Sequence, residues 1–464
     1  MILSKDINTV YFVGIGGIGM SALARLFNHQ GLRVAGYDRT ATNITRQLVE
    51  EGIHVHYDDL GSEVSTLISE PEQTLVVYTP AVPSDHEELK WLKQNKYLIV
   101  KRASVLGLLC SQFQCMAVSG THGKTTVSTM AATIMNNRPE KCGAILGGIS
   151  KNFHSNLVLP DKESNWMITE ADEFDRSFLQ LSPDIAVITS IDADHLDIYS
   201  NVEEIILSFN EFVGKIRPGG ILLLNEKVRD KVKSEGVKTY TYSLTGPSDF
   251  KTENLKLDES TRCYSFQLQT PSGTTSEITM QYPGLLNVEN AVAAGAASWL
   301  AGTGLREISL GIESYLGVKR RFDIRYIGKE SVYIDDYAHH PEELKAFINS
   351  VRKLYPGRKI TGIFQPHLYS RTRDLADDFA TSLDLLDIAI ILPVYPAREQ
   401  PIEGVSSALL ASKIQKADHF LMEKSEITRF LKENRTEVLL TMGAGDIELL
   451  SDEIIETIKH EEEA

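Results

Sequence analysis

The segment Cys115–Thr126, C-M-A-V-S-G-T-H-G-K-T-T, narrows the possible folds more than any other stretch. Met116–Ser119 is a short apolar run that reads as a buried strand, and Val127–Met135 carries a helical pattern. Between them lies a glycine-bearing turn ending in Lys-Thr-Thr. Strand, glycine turn and helix start is the arrangement that holds nucleotide phosphates, because glycine lets the backbone approach the anion and the first helical N–H groups point at it. Gly120, Thr121, His122, Gly123, Lys124, Thr125 and Thr126 are therefore the expected ATP-binding residues. Lys124 supplies a cation for the β/γ oxygens, and Thr125 supplies a hydroxyl for Mg²⁺, a hard ion that prefers oxygen. The spacing is G-x-x-G-K-T, two residues tighter than the common G-x-x-x-x-G-K-[ST] form.

A second glycine turn lies near the start. Asn8–Val13 reads as a strand and runs into Gly14, Gly16, Gly17, Ile18, Gly19, Met20 and Ser21, after which a helix extends to about Gln30. The strand Leu32–Tyr37 then ends on Asp38. This G-x-G-x-x-G with a following acid predicts a Rossmann-like first domain whose turn cradles a pyrophosphate. A nicotinamide or flavin dinucleotide and a sugar nucleotide fit the glycines equally well. Further strands are expected at Thr74–Tyr78 and Leu98–Val100, followed by a linker near Lys101–Ser111.

The middle of the chain carries acids at strand ends, where open α/β sheets place their ligands. Trp166–Glu170 leads into E-A-D-E-F-D, with Glu170, Asp172, Glu173 and Asp175. Asp184–Ser190 leads into I-D-A-D-H-L-D, with Asp192, Asp194, His195 and Asp197. Carboxylates and an imidazole near phosphates suit Mg²⁺. Thr239–Tyr282 is rich in alternating β-formers and suggests a small appended sheet, and an Ala-rich buried helix follows to about Leu300. The basic run Lys319, Arg320 and Arg321 marks a boundary and offers a cation to a nucleotide. The last third returns to βα alternation, with strands at Val332–Asp335, Lys359–Phe364, Ile388–Leu392 and Glu437–Thr441. Their ends carry D-D-Y-A-H-H-P, Q-P-H-L-Y-S-R-T-R, Y-P-A-R-E and G-A-G-D-I, four polar motifs that describe one composite site.

Composition sets outer limits on function. The net charge of −16 argues against a surface that wraps nucleic acid. No apolar stretch is long enough to span a bilayer, and Met1–Asn8 does not read as a signal peptide, so no membrane partner and a cytoplasmic location are expected. The four cysteines fall in no paired spacing, which suits reduced buried thiols.

Taken together, these motifs resemble the Mur ligase family. G-I-G-G-I-G-M-S, G-T-H-G-K-T-T, E-A-D-E-F-D, D-H-L-D, N-V-E-N-A, R-R-F-D, D-D-Y-A-H-H-P-E-E, F-Q-P-H-L-Y-S-R-T, Y-P-A-R-E and G-A-G-D-I occur in the family's order from residue 14 to 447. The resemblance implies an α/β fold of three domains: a Rossmann-like UDP-binding domain over 1–107, a central P-loop-type ATPase domain over 108–317 and a Rossmann-like C-terminal domain over 318–464. It implies a ligase of peptidoglycan synthesis that uses ATP and Mg²⁺ to join L-alanine to the lactyl carboxylate of UDP-N-acetylmuramate through an acyl phosphate, acting as a monomer or homodimer.

Residue by residue, the resemblance assigns Gly14–Ser21 and Asp38 to the UDP substrate, and Asn287 and Arg321 to ATP beside the Lys124 turn. Thr125 and Glu173 would hold one Mg²⁺, with a second near His195. Tyr337, His339, His367 and Arg371 would receive the amino acid, and Lys124, His195, His339 and Arg371 would be catalytic. Some positions depart from the family pattern. No lysine lies between His195 and Lys215, where related ligases carry a carbamylated one; Leu286, Ser190 and Leu368 replace the His, Asn and Arg often found at their positions. A recycling ligase that attaches a murein tripeptide to the same sugar nucleotide is the near alternative. An NAD(P)-dependent oxidoreductase built on Gly14–Gly19 is a more distant one that leaves the Lys124 turn unexplained, and a nucleotide-binding regulator without turnover is another, which ATP-dependent phosphate release requiring both UDP-sugar and amino acid would exclude.

Overall fold

The computed structural model describes residues 6–83, 85–192, 199, 201–397 and 399–463, the side chain of Asp175 apart. The chain divides into two compact units, one holding 1–257, 263–281 and 287–316, the other 258–262, 282–286 and 317–464.

Among the described residues the first unit contains three sheets. Strands β1 (Thr9–Val13), β2 (Arg33–Tyr37), β3 (His54–His56), β4 (Thr74–Tyr78) and β5 (Leu98–Lys101) form a parallel sheet in the order β3-β2-β1-β4-β5. β1 is buried along its whole length, as a strand covered by helices on both faces must be. β2 and β4 flank it on opposite sides, so the winding reverses at its carboxyl end, where the first glycine turn sits.

The second sheet joins β6 (Gln114–Ser119), β7 (Gly143–Ile145), β8 (Leu157–Val158), β9 (Trp166–Glu170), β10 (Ile185–Ile188), β11 (Ile221–Asn225) and β12 (Lys238–Tyr242) in the order β12-β11-β10-β6-β9-β7-β8. All its pairs are parallel except β7 with β8. Here the reversal falls at β6, directly before the Lys124 turn. A small antiparallel sheet holds β13 (Lys251–Leu257), β14 (Tyr264–Thr270), β15 (Gly273–Thr274) and β16 (Ile278–Met280). Thr239–Tyr242, expected in that appended sheet, instead pairs in parallel with β11 and closes the edge of the central one.

The expected linker at 101–111 is a helix, Arg102–Cys110. It buries Val105, Leu106, Leu109 and Cys110, and its only glycine lets it touch the chain elsewhere: a Cβ on Gly107 would lie 2.3 Å from the Gln180 carbonyl oxygen. One apolar cluster runs from Val10 and Phe12 of the first sheet through this helix to Cys115 of the second sheet and to Phe178 and Phe212 on the helical segments Phe174–Gln180 and Val202–Val213. A buried amide adds a polar tie. Asn156 Nδ2 donates to the Ile18 carbonyl (2.6 Å) and to Ser21 Oγ (2.9 Å), while its oxygen accepts from Arg25. The helix that leaves the first glycine turn, Ile18–His29, is thereby fixed to the segment between β7 and β8.

Among the described residues the second unit holds one sheet. Its strands are β17 (Asp323–Ile327), β18 (Val332–Asp336), β19 (Ile360–Phe364), β20 (Ile388–Ile391), β21 (Asp418–Leu421) and β22 (Val438–Met442), ordered β17-β18-β22-β19-β20-β21. Only β17 runs antiparallel to its neighbour. Because β18, β22, β19 and β20 are consecutive neighbours, the four expected motifs leave the same end of the sheet side by side. Among the described residues the four cysteines are free, and no helix is long and apolar enough to cross a membrane.

Candidate active site

The Lys124 turn is shaped by two glycines with left-handed backbone. Gly120 has φ +132° and a Cβ there would lie 2.1 Å from Thr189 Oγ1; Gly123 has φ +84° and caps the helix Lys124–Met135. The amides of Thr121 and His122 are taken up within the protein, by the Ser190 carbonyl (3.1 Å) and Ser190 Oγ (2.8 Å). Ser190 Oγ also bonds the Thr121 hydroxyl at 2.9 Å, so this departure from the family pattern holds the turn itself. The N–H groups of the helix's first turn have no intrahelical acceptor and make the anion-facing surface.

Acids from β9 converge on this helix start. Lys124 Nζ donates to Glu173 Oε1 (2.8 Å) and to the Gly120 carbonyl (2.7 Å). Burial alone would lower the lysine's pKa, but the charges of Glu173, Asp172 and Glu170 hold it well above its usual value. Asp172 is itself pushed up by burial, against the pull of Lys124. Thr125 Oγ1 donates to Glu170 Oε2 at 2.8 Å. The expected pairing of Thr125 with Glu173 is thus divided in this structure: Glu170 faces the hydroxyl and Glu173 faces the lysine. Gly147 makes room for Glu170, since a Cβ there would lie 1.8 Å from Oε2. A threonine oxygen, a carboxylate and a cradle with space for both suit a hard cation. Tyr199 Oη donates to the Glu173 carbonyl (2.7 Å) and anchors the acid-bearing loop. Asn287 is buried and accepts from Asn290, whose own Oδ1 lies 2.9 Å from where a Gly123 Cβ would be. Asp194, His195 and Asp197 lie outside the described residues, as does Arg398 of Y-P-A-R-E.

At the first glycine turn Asp38 has an internal role. Its carboxylate accepts from Gly16 N (2.7 Å) and Thr40 N (3.1 Å), and burial raises its pKa. It shapes the turn, so its oxygens are engaged by backbone. Met20 and Ser21, expected to face the UDP substrate, are turned into the packing: both side chains are buried and the Ser21 hydroxyl bonds the Ile18 carbonyl and Asn156. The reason is helical geometry, which directs them to the face covered by the rest of the unit. Gly14, Gly16, Gly17, Ile18 and Gly19 remain on the turn or its first helical residues. Arg102, passed over as linker, stands against it: a Cβ on Gly19 would lie 2.6 Å from Arg102 Nη1, and the same guanidinium stabilises the Asp172 carboxylate.

In the second unit the expected amino-acid residues come together. Tyr337 packs on His339 (ring centroids 5.4 Å apart), His339 on His367 (6.0 Å) and His367 on Tyr395 (5.8 Å). Arg320 and Arg321 both lie over the Tyr337 ring, at 5.0 and 5.2 Å, so Arg321 is spent partly on an aromatic face. Arg320 also donates to the Gly443 and Gly445 carbonyls and reaches Asp335, tying the end of β18 to the G-A-G-D loop. Asp336 accepts from Phe322 N and Ala338 N, and burial pushes its carboxyl up to about 6 despite Arg321.

His339 Nδ1 is 3.0 Å from the Tyr337 carbonyl, which can only accept, so Nδ1 donates and in the neutral ring Nε2 carries the lone pair. Burial lowers its pKa, Arg371 and Arg321 assist, and Glu343 opposes. Arg371 sits on the short helix Tyr369–Asp374, which starts from Leu368 in a left-handed conformation (φ +70°) and is braced by Ser370 on Glu399. Gln365, Asp446 and Lys424 form a further polar network beneath this end of the sheet.

Two nucleotide-type turns at two sheet reversals, followed by a third α/β sheet with a polar, His- and Arg-bearing end, define a multidomain ATP-using ligase. Three family models account for the chain in order: "Mur ligase family, catalytic domain" over residues 9–114, "Mur ligase middle domain" over 118–298 and "Mur ligase, glutamate ligase domain" over 320–446. The chain belongs to the Mur ligase family. It is 46% identical over 456 residues to the UDP-N-acetylmuramate–L-alanine ligase of Parabacteroides distasonis, covering 98% of this chain and 97% of that protein. It is similar in structure to the UDP-N-acetylmuramate–alanine ligase of Thermotoga maritima, with a TM-score of 0.81 and 26% identity over 97% of this chain and 99% of the other. A murein peptide ligase of Psychrobacter arcticus shares the fold at 20% identity, with a TM-score of 0.72 over 97% of this chain and 98% of the other.

Proposed function

We infer that this chain is an ATP-dependent ligase that forms an amide between L-alanine and the lactyl carboxylate of UDP-N-acetylmuramate, in peptidoglycan synthesis. The observation that carries this reading is the near-full-length identity to an alanine-adding ligase, 46% over 98% of the chain. The tripeptide-adding alternative is supported by a likeness of fold at 20% identity.

A carboxylate is a poor acyl donor, so it must be activated before an amine can displace anything from it. Attack of the lactyl oxygen on the γ-phosphorus forms a C–O–P bond, breaks the γ–β bridge and releases ADP. Two anions meet in this step, and it therefore depends on fixed geometry and local positive charge. In this reading Lys124 leaves Glu173 for the phosphates, and the helix start at 124–126 binds them through backbone N–H groups. Thr125, Glu170 and Glu173 would hold Mg²⁺, which supplies charge neutralisation when bound. His195 is assigned to a second ion from sequence alone. Gly14–Gly19 takes the UDP diphosphate, and Asn287 and Arg321 take part in nucleotide binding.

The amine of alanine then attacks the acyl carbon, phosphate leaves, and the nitrogen loses its proton. His339, its pKa lowered by burial and its Nδ1 donating to the Tyr337 carbonyl, is the acceptor for that proton through Nε2. Arg371 holds the alanine carboxylate, bidentate geometry being what a guanidinium offers; Tyr337 and His367 line the same place. The domains assigned are 1–107, 108–317 and 318–464. The enzyme acts in the cytoplasm as a monomer or homodimer, with no nucleic-acid or membrane partner. Phosphate release measured with UDP-N-acetylmuramate and each amino acid in turn is the direct test. Release with alanine supports the reading; absence of both ADP and conjugate with alanine overturns it.

A further inference from the structure

We propose that the first sheet carries a binding site for a zinc-class divalent ion, formed by Asp59, His86 and Glu88, separate from the acids around Lys124. One donor atom from each of these residues lies within 4.8 Å of the others. His86 Nε2 is 3.7 Å from Asp59 Oδ2. Bonds of about 2.0–2.2 Å to a tetrahedral ion put neighbouring donors roughly 3.4 Å apart, so small side-chain rotations close the set.

His86 is the observation that separates this cluster from an ordinary group of acids. Its side chain is only 5% exposed, yet neither ring nitrogen has a hydrogen-bond partner. The ring is held by packing, its centroid 4.4 Å from that of Tyr37, and it precedes the helix Glu87–Gln94. A buried imidazole with both nitrogens unsatisfied is unusual, and an ion between it and Asp59 would satisfy one of them.

The two carboxylates are held as ligands usually are. Glu88 is fully buried and accepts from Tyr11 Oη (2.6 Å) and Leu60 N (2.8 Å). Tyr11 in turn bonds His56 Nε2 at 2.8 Å, and His56 Nδ1 contacts the Asp58 carbonyl. Such outer partners fix a ligand's orientation. Asp59 Oδ1 accepts from the amides of Glu88 (3.0 Å) and Gly61 (3.3 Å), whereas Oδ2, the oxygen nearest His86, accepts only from Glu87 N (2.8 Å) among the described residues and keeps a lone pair for an ion. Its side chain is 30% exposed and provides the entry path.

An imidazole nitrogen beside two carboxylates favours zinc-class ions over Mg²⁺, which takes oxygen donors in an octahedron. The ion would pin the start of the helix Glu87–Gln94 to the 58–60 loop and to Tyr37, the last residue of β2 and neighbour of Asp38. Its consequence is bracing of the sheet end that carries the first glycine turn.

The test uses the full chain, stripped with chelator, incubated with ZnCl₂ in excess MgCl₂ and desalted. Metal content by mass spectrometry and melting temperature with and without ZnCl₂ are then compared among wild type, His86→Ala and Glu88→Gln. The expected result is about one retained zinc and a raised melting temperature in wild type, with both lost in each variant. No retained zinc in wild type, or equal retention in His86→Ala, overturns the proposal. Should the variants fail to fold, anomalous scattering at the zinc edge from wild-type crystals decides: a peak between Asp59, His86 and Glu88 supports the site, and peaks only elsewhere overturn it.

Discussion

Lys124 Nζ and Glu173 Oε1 lie 2.8 Å apart with the carboxylate almost wholly buried, so the lysine assigned to the phosphates is also the counter-charge of a buried acid. In the proposed reading the same cation has a structural and a catalytic part to play, and removing it should have two separable effects. Lys124→Ala should lower kcat by at least ~100-fold, as loss of a transition-state charge contact does. It should also cost about 3 kcal/mol of stability, because Glu173 is left buried without its counter-charge. Phosphate release and denaturant unfolding measure the two effects. Adding Glu173→Gln to Lys124→Met should restore stability but not turnover, and restored turnover would contradict the role of Lys124.

Gly147 offers a test of the cation cradle that substitutes none of the candidate ligands. An alanine Cβ would meet Glu170 Oε2 at 1.8 Å, and that atom is the end of a flexible side chain. The carboxylate should therefore swing away from Thr125 at little cost to the fold. The expected outcome for Gly147→Ala is a higher Mg²⁺ concentration for half-maximal activity with an unchanged melting temperature. A magnesium titration of phosphate release checks it, and an unaltered titration would show that Glu170 does not serve the ion.

How much of this was legible in the sequence differs from element to element. β1, β6, β9 and β19 are buried over most of their length, so each reads as a mainly apolar run followed by a glycine or polar turn, and the pattern places them. The helix at 102–110 was missed because it lies against the rest of the unit on one side only and opens on a charged residue without a capping side chain. β3, β17 and β21 were missed because they are short or exposed edge strands, where partner geometry and not hydrophobicity specifies pairing. Site residues followed the same division. The Lys124 turn carries its own chemistry in its local spelling. The engagement of Glu170 with Thr125, and of Asp38 with Gly16, depends on which strands are neighbours, which no local pattern records. For Arg102 the only available signal was a basic residue directly after a strand.

Arg102 stands between the Gly19 turn and Asp172, and is therefore placed to meet a diphosphate on that turn. Arg102→Ala should raise KM for UDP-N-acetylmuramate roughly 10-fold, within the range for a lost hydrogen bond to a charged group, with KM for alanine unchanged. Gly19→Ala should move KM in the same direction, since its Cβ would displace the guanidinium. Steady-state kinetics with each substrate varied in turn is the measurement. An equal rise for alanine would place Arg102 outside the sugar-nucleotide site.

His339 and Arg371 should reveal themselves through the pH dependence of kcat at saturating alanine. Burial, helped by Arg371 and Arg321, lowers the His339 pKa from 6.5, so the base form is present above a value lower than 6.5. The acid limb of the profile should accordingly inflect below pH 6.5. Glu343 opposes the shift, so Glu343→Gln should move the inflection further down. Arg371→Ala should move it up toward 6.5 and raise KM for alanine far more than KM for ATP. Stability carries the same sign: an unfolded chain takes up this proton as pH falls through about 6.5 while the native imidazole resists it, so the native state loses stability in acid over that interval. If Arg371→Ala altered KM for alanine without moving the inflection, the arginine would hold the carboxylate away from His339. If neither changed, the amino acid would bind elsewhere in the second unit.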